Sequence, residues 1–136
     1  MALVQTVKTT TRKFTDLDLS LTKHPVTGDI AIASGDNAVI KSVRTLIMTN
    51  FYERPFHPEK GSGVPGMMFE LITPITAQRL KQEVIDVITN FEPRCKLIDV
   101  VVSAFPDQNY ITIQMSFYIV NNTAPTTITV FLERSR

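Results

Sequence analysis

The chain reads as an α+β fold, with two main helices packed on a three-stranded antiparallel β-meander and an extended N-terminal arm over residues 1–28. Three observations predict it. Apolar residues recur at helical spacing in two stretches, from Val39 to Phe51 and from Ala77 to Phe91. After Arg94 the apolar period drops to two and holds through three segments separated by turn residues. Pro93 stands at the change of period, where its missing N–H and its restriction on the preceding residue stop a helix near Phe91. Helices followed by strands segregate into two layers around one core. A length of 136 residues with 43% hydrophobic content suits a single domain, placed at 29–136 after the arm.

The arm is rich in Thr, Lys and Asp. Leu17, Leu19 and Leu21 alternate with Asp18 and Ser20, which fits a short strand or extended segment. Such polar composition buries little of its own surface, so the arm is expected to order mainly on a neighbour. His24-Pro25-Val26-Thr27-Gly28-Asp29 is in turn-forming order, and Ile30 to Ala33 is the returning strand of a small hairpin.

Ser34-Gly35-Asp36-Asn37 opens the first helix, with Asp36 or Asn37 expected as its cap. Val39, Ile40, Val43, Leu46, Ile47 and Phe51 form its buried stripe. From Phe51 to Gly66 the prolines and glycines exclude a helix or central strand, and a long irregular loop in a compact domain is usually functional. Its aromatics Phe51, Tyr52 and Phe56 are expected to pin it to the core, leaving Glu53, Arg54, His57 and Glu59 to face outward. Gly66 to Leu71 reads as one helical turn, and Thr73-Pro74 opens the second long helix as cap and first helical residue.

In the meander, Ile98, Val100, Val102 and Ala104 are the expected inward set of the first strand. Pro106 to Asn109 turns the chain, and Ile111, Ile113, Met115, Phe117 and Ile119 are the inward set of the second strand. Ile128, Val130 and Leu132 mark the third strand, which is expected to lie at an edge and to offer an unpaired backbone ladder to another chain.

Composition narrows the function. A net charge of +1 argues against nucleic acid as partner. No apolar run reaches the roughly 18 to 20 residues of a membrane span, and Met1 to Lys13 lacks the apolar core of a secretory signal, so synthesis and assembly in the cytoplasm are expected. Cys95, the only cysteine, excludes an internal disulfide; two separated histidines make no metal site, and no cofactor is expected. Gly61-Ser62-Gly63 matches neither a nucleophile elbow nor a phosphate loop.

Glu92 and Arg94 flank the rigid Pro93. The ordinary reading is an exposed salt bridge closing a helix end, worth about 0 to 1 kcal/mol. The other is a docking point with both charges projecting outward.

Taken with Glu53-Arg54-Pro55-Phe56, Pro58-Glu59, Gly61 and Phe69-Glu70, the closing Glu92-Pro93-Arg94 resembles the small baseplate wedge family of contractile phage tails, relatives of the TssE subunit of type VI secretion baseplates. The resemblance covers about residues 35–134; Lys60 stands where an aromatic often precedes the glycine, and Cys95 where an aliphatic is usual. It implies a structural role in the virion tail baseplate as sheath initiator. Glu92, Pro93 and Arg94 would bind other wedge proteins, the edge at Ile128, Val130 and Leu132 would bind the sheath protein, and Glu53 to Phe56 would add loop contacts, with the tail tube a further neighbour. Some relatives carry a lysozyme label. Glycoside hydrolysis needs two carboxyls across a sugar cleft, and Glu53, Glu59 and Glu70 are the set near the loop; a chain without tryptophan has little to stack on a sugar. A type VI subunit or a regulatory adaptor of the same fold is the remaining alternative.

Overall fold

The computed structural model describes residues 13–120 and 122–133. The elements run β1 (Thr15–Leu17), β2 (Ile32–Ser34), α1 (Asp36–Met48), α2 (Val64–Met67), α3 (Pro74–Phe91), β3 (Cys95–Phe105), β4 (Tyr110–Ile119) and β5 (Pro125–Glu133). Strands β3, β4 and β5 form an antiparallel meander in that spatial order, and β1 and β2 form a separate two-stranded hairpin. α1 and α3 cover the inner face of the meander, where Ile111, Ile113, Met115, Phe117 and Ile119 of β4 are all buried. They meet Val39, Val43 and Ile47 from α1 and Leu80, Val84 and Ile88 from α3 in one core. Burying such aliphatic side chains contributes about 1.5–3 kcal/mol each.

Helix ends follow local chemistry. The Thr73 hydroxyl accepts from the Thr76 N–H and Pro74 fills the first helical position; the helix ends at Phe91, two residues before Pro93. α1 differs from expectation at its start. Its cap residue is Gly35, in the left-handed region at φ 65°, and neither Asp36 nor Asn37 caps it by a side chain. Only glycine takes that conformation without cost, so the turn geometry chooses the cap here. Asp36 instead accepts from the Asn122 amide across the domain.

The expected inward set of β3 holds for Val100, Val102 and Ala104 and fails at Ile98, which is 49% exposed. The ladder with β4 shifts between Leu97 and Asp99, so Ile98 is the extra residue of a bulge. A bulge moves the alternation by one. Cys95 and Leu97 therefore face the core before it and Val100 after it.

The loop after α1 is tied down by backbone rather than by its aromatics. Tyr52 and Phe56 are 84% and 96% exposed and sit at φ 65° and 67°, and Phe51 is 40% exposed. The loop closes instead through a parallel bridge between Asn50 and Ser62, with the Ser62 N–H donating to Thr49 O at 2.8 Å and the Tyr52 N–H to Pro58 O at 2.8 Å. Glu83 on α3 accepts from the Gly63 N–H at 2.8 Å, and the helical turn falls at Val64–Met67, earlier than the expected Gly66 to Leu71.

Of the N-terminal segment, residues 1–12 lie outside the described residues. From Thr15 the chain pairs with its own β2, and Leu17, Leu19 and Leu21 remain exposed. The hairpin is attached by the Gly35 N–H donating to Phe14 O at 2.7 Å and by Lys41 on α1 reaching Asp18 at 2.6 Å.

Candidate functional site: a charged groove and an open strand edge

Glu92 closes α3 with its backbone N–H bonded to Ile88 O, and Pro93 then forces the chain out of the helix. This turns the Glu92 side chain back under the helix rather than outward, which corrects the projecting geometry expected from the sequence. Glu92 is 3% exposed. Its Oε1 accepts from Arg94 Nε at 2.7 Å, and its Oε2 accepts from Arg94 Nη2 at 2.9 Å and from Ser42 Oγ of α1 at 2.6 Å. The pair does close a helix end, but as a buried, two-pronged bond instead of an exposed bridge.

Burial pushes the Glu92 carboxyl up, and the Arg94 and Ser42 hydrogen bonds outweigh it, so the group is held below its ordinary value. Arg94 is raised in turn, first by its bond to Glu92 and against its own partial burial. Its guanidinium carbon lies 5.8 Å from the ring centre of Phe14, a cation–π contact that ties the motif to the N-terminal hairpin. Next in the chain, Cys95 is buried, and desolvation followed by the Glu92 charge pushes its thiol up to about 11. It is a packing residue and not a nucleophile at neutral pH.

Pro93 and Arg94 line one wall of a groove of about 340 Å³, and Arg54 and Lys60 of the loop line the other. Asp16 and Ser42 join it to a second hollow beside Leu17, Leu19 and Lys41. The fold thus brings Arg54, from the predicted loop set, to the same groove as Glu92, Pro93 and Arg94. Glu53 sits apart from that lining, with its carboxylate accepting from the Asn50 N–H at 2.7 Å. Pro55 and Phe56 stand in solvent. No local pattern marks Ser42, Lys60 or Phe14 as members of this site, because their partners lie far along the chain.

The second surface is β5. Among the described residues it pairs with β4 alone, which leaves its outer backbone ladder open there, as expected. Val130 and Leu132, however, are buried at 1% and 4%, and Ile128 packs partly against the core. These residues hold the edge in place, and the strand presents to solvent its outer main chain and the exposed side chains Thr127, Thr129 and Phe131. Beside the end of β5 an apolar hollow of about 240 Å³ is lined by Met48, Pro65, Met68, Phe69 and Phe131.

Each of the three candidate carboxylates of the hydrolase reading is engaged by a local partner. Glu53 caps the Asn50 N–H, Glu59 lies 3.2 Å from His57, and Glu70 pairs with Arg79 at 3.1 Å. Glu59 is held below its ordinary value by hydrogen bonds, first its own backbone N–H and then His57, the opposite of what a general acid needs.

With this geometry in hand, the comparisons with known proteins are specific. The family described as baseplate wedge protein gp25 matches residues 33–123. The baseplate wedge protein gp25 of Enterobacteria phage T4 is 27% identical over 109 residues, which is 80% of this chain and 82% of the phage protein. Among solved structures, a chain of the anti-feeding prophage baseplate superposes with a TM-score of 0.71 at 26% identity, covering 82% of this chain and 89% of its own length. A candidate tail lysozyme from Geobacter sulfurreducens superposes with a TM-score of 0.70 at 19% identity, covering 79% and 97%, and shows the fold alone. The match spans well over half of the sequence and takes in α1, the loop, α3 and its closing Glu92-Pro93-Arg94, so this chain belongs to the baseplate wedge protein gp25 family of contractile tails.

Proposed function

We propose that the chain is a structural, non-enzymatic part of the baseplate wedge that joins the wedge core to the tail tube and sheath, and that β5 offers the edge on which sheath subunits begin to assemble. The observation that carries this reading is the contrast between the two edges of the meander. The β3 edge is interrupted by the bulge at Ile98 and carries Lys96 and Asp99, the features that stop a strand from pairing further. The β5 edge runs in unbroken register from Pro125 to Glu133 and has no charge before Glu133. An added strand gains main-chain hydrogen bonds there, with alternate side chains tuning specificity.

The wedge core is assigned to the groove at Glu92, Pro93 and Arg94. Arg54 contributes directly, and the strained, exposed Phe56 offers an aromatic anchor two residues away. Glu53 supports the loop from within.

The test replaces Thr127 and Thr129 with lysine. Both are exposed, so the domain keeps its fold. Tails assembled with the double variant are expected to contain baseplates that include the protein and no sheath. Sheath of native length on those baseplates would remove β5 as the template.

A further inference from the structure

We infer that the groove between the N-terminal hairpin, α1 and the 51–60 loop takes an acidic, amphipathic segment of a neighbouring baseplate protein. This rests on the reading of the groove as the wedge-core contact and names the chemistry of what fills it. Glu92 does not face the partner as an anion, because both of its oxygens are occupied by Arg94 and Ser42. Its charge and that of Arg94 cancel within the protein. What the groove presents beyond that pair is Arg54 and Lys60 against a single Asp16. Among the described residues neither Arg54 nor Lys60 has an ion-pair partner, and Lys41 in the adjoining hollow is already held by Asp18. The surplus of one positive charge, carried by two cations without an ion-pair partner, favours carboxylates on the occupant and repels a basic segment.

The apolar share of the lining sets the rest of the chemistry. Leu17 and Leu19 are 59% and 61% exposed along the joined hollow, and Leu46 and Phe91 line the floor near Pro93. A segment with carboxylates on one side and aliphatic side chains on the other satisfies both. The chain's own residues 1–12 do not fit that description, since they carry Lys8 and Arg12 and no acidic residue. A free phosphate or nucleic acid would leave the leucines uncovered.

The experiment places a photo-crosslinking side chain at Thr45, which lines the hollow beside Arg54, in the full chain within assembled baseplates. The segment captured there is identified by mass spectrometry. A stretch from another baseplate protein that alternates Asp or Glu with aliphatic residues is expected. In parallel, Arg54→Glu with Lys60→Glu is expected to lower incorporation into baseplates at least tenfold while the isolated domain melts at the native temperature. A captured segment that is basic or wholly apolar would overturn the inference and leave the groove as the wedge-core contact. Capture of a second copy of this chain, or of nothing, would overturn both. Native incorporation of the double variant would also overturn the inference.

Discussion

Arg94 grips Glu92 across Pro93 through two parallel bonds, Nε to Oε1 at 2.7 Å and Nη2 to Oε2 at 2.9 Å, and the carboxylate so held is buried against α1. The motif is therefore part of the fold as well as one wall of the groove. Arg94→Ala leaves a buried carboxylate with Ser42 as its one side-chain partner. Breaking such a pair on one side costs about 3 kcal/mol, which corresponds to a fall of roughly 10 °C in melting temperature for a domain of this size. Ser42→Ala removes a single charged hydrogen bond and costs about 1.5 kcal/mol. Differential scanning fluorimetry of the isolated domain reads both. An Arg94→Ala domain that melts at the native temperature would mean that the pair serves only an interface.

The same pair makes stability depend on pH with a definite sign. The folded Glu92 carboxyl lies below its ordinary value of 4.5, so the unfolded chain binds the proton more readily. The contribution is complete above that ordinary value and is lost as pH falls through the depressed folded value. Asp18 acts in the same direction, since Lys41 and Ser20 hold it at about 2. Urea unfolding between about pH 3 and pH 7 is expected to show a steeper acid loss in the native chain than in Glu92→Gln, because the variant lacks the Glu92 share and keeps that of Asp18. Parallel acid limbs would contradict the assignment.

Much of this fold is written in local chemistry. Thr73-Pro74 and Pro93 bracket α3 because caps and stops act over three or four residues, and the β4 alternation is read directly because an antiparallel strand with one buried face repeats every two residues. What the sequence does not display are long-range choices. Glu92 turns inward because Ser42, fifty residues earlier, waits for it. Ile98 turns outward because the ladder with β4 slips by one residue, which no periodicity of β3 alone reveals. Tyr52 and Phe56 look like core anchors by residue type, yet a left-handed backbone directs them into solvent. The groove is legible only in part for the same reason: Arg54 and Arg94 are flagged by motif, whereas Lys60 and Asp16 join them through the fold.

Gly61 gives a test of how the loop is held. A Cβ built there would lie 2.5 Å from the Asn50 carbonyl oxygen and 2.8 Å from the Phe51 nitrogen, both backbone atoms that cannot move aside without breaking the Asn50–Ser62 bridge. Gly61→Ala is expected to destabilise the domain by about 2–3 kcal/mol. Gly66→Ala, where nothing lies within 4 Å, is expected to be close to neutral. Chemical denaturation of the two variants decides it; equal stabilities would mean that the loop relaxes freely.

The most direct measurement is a cryo-electron microscopy map of the native tail at the junction of baseplate and first sheath ring, read along the outer edge of β5. A strand from a neighbouring subunit, hydrogen-bonded to the backbone between Pro125 and Glu133 and spaced from it as β4 is on the other side, is the expected result. A β5 edge left open to solvent, or an added strand on the bulged β3 edge, would contradict the proposal that this protein starts the sheath by strand addition.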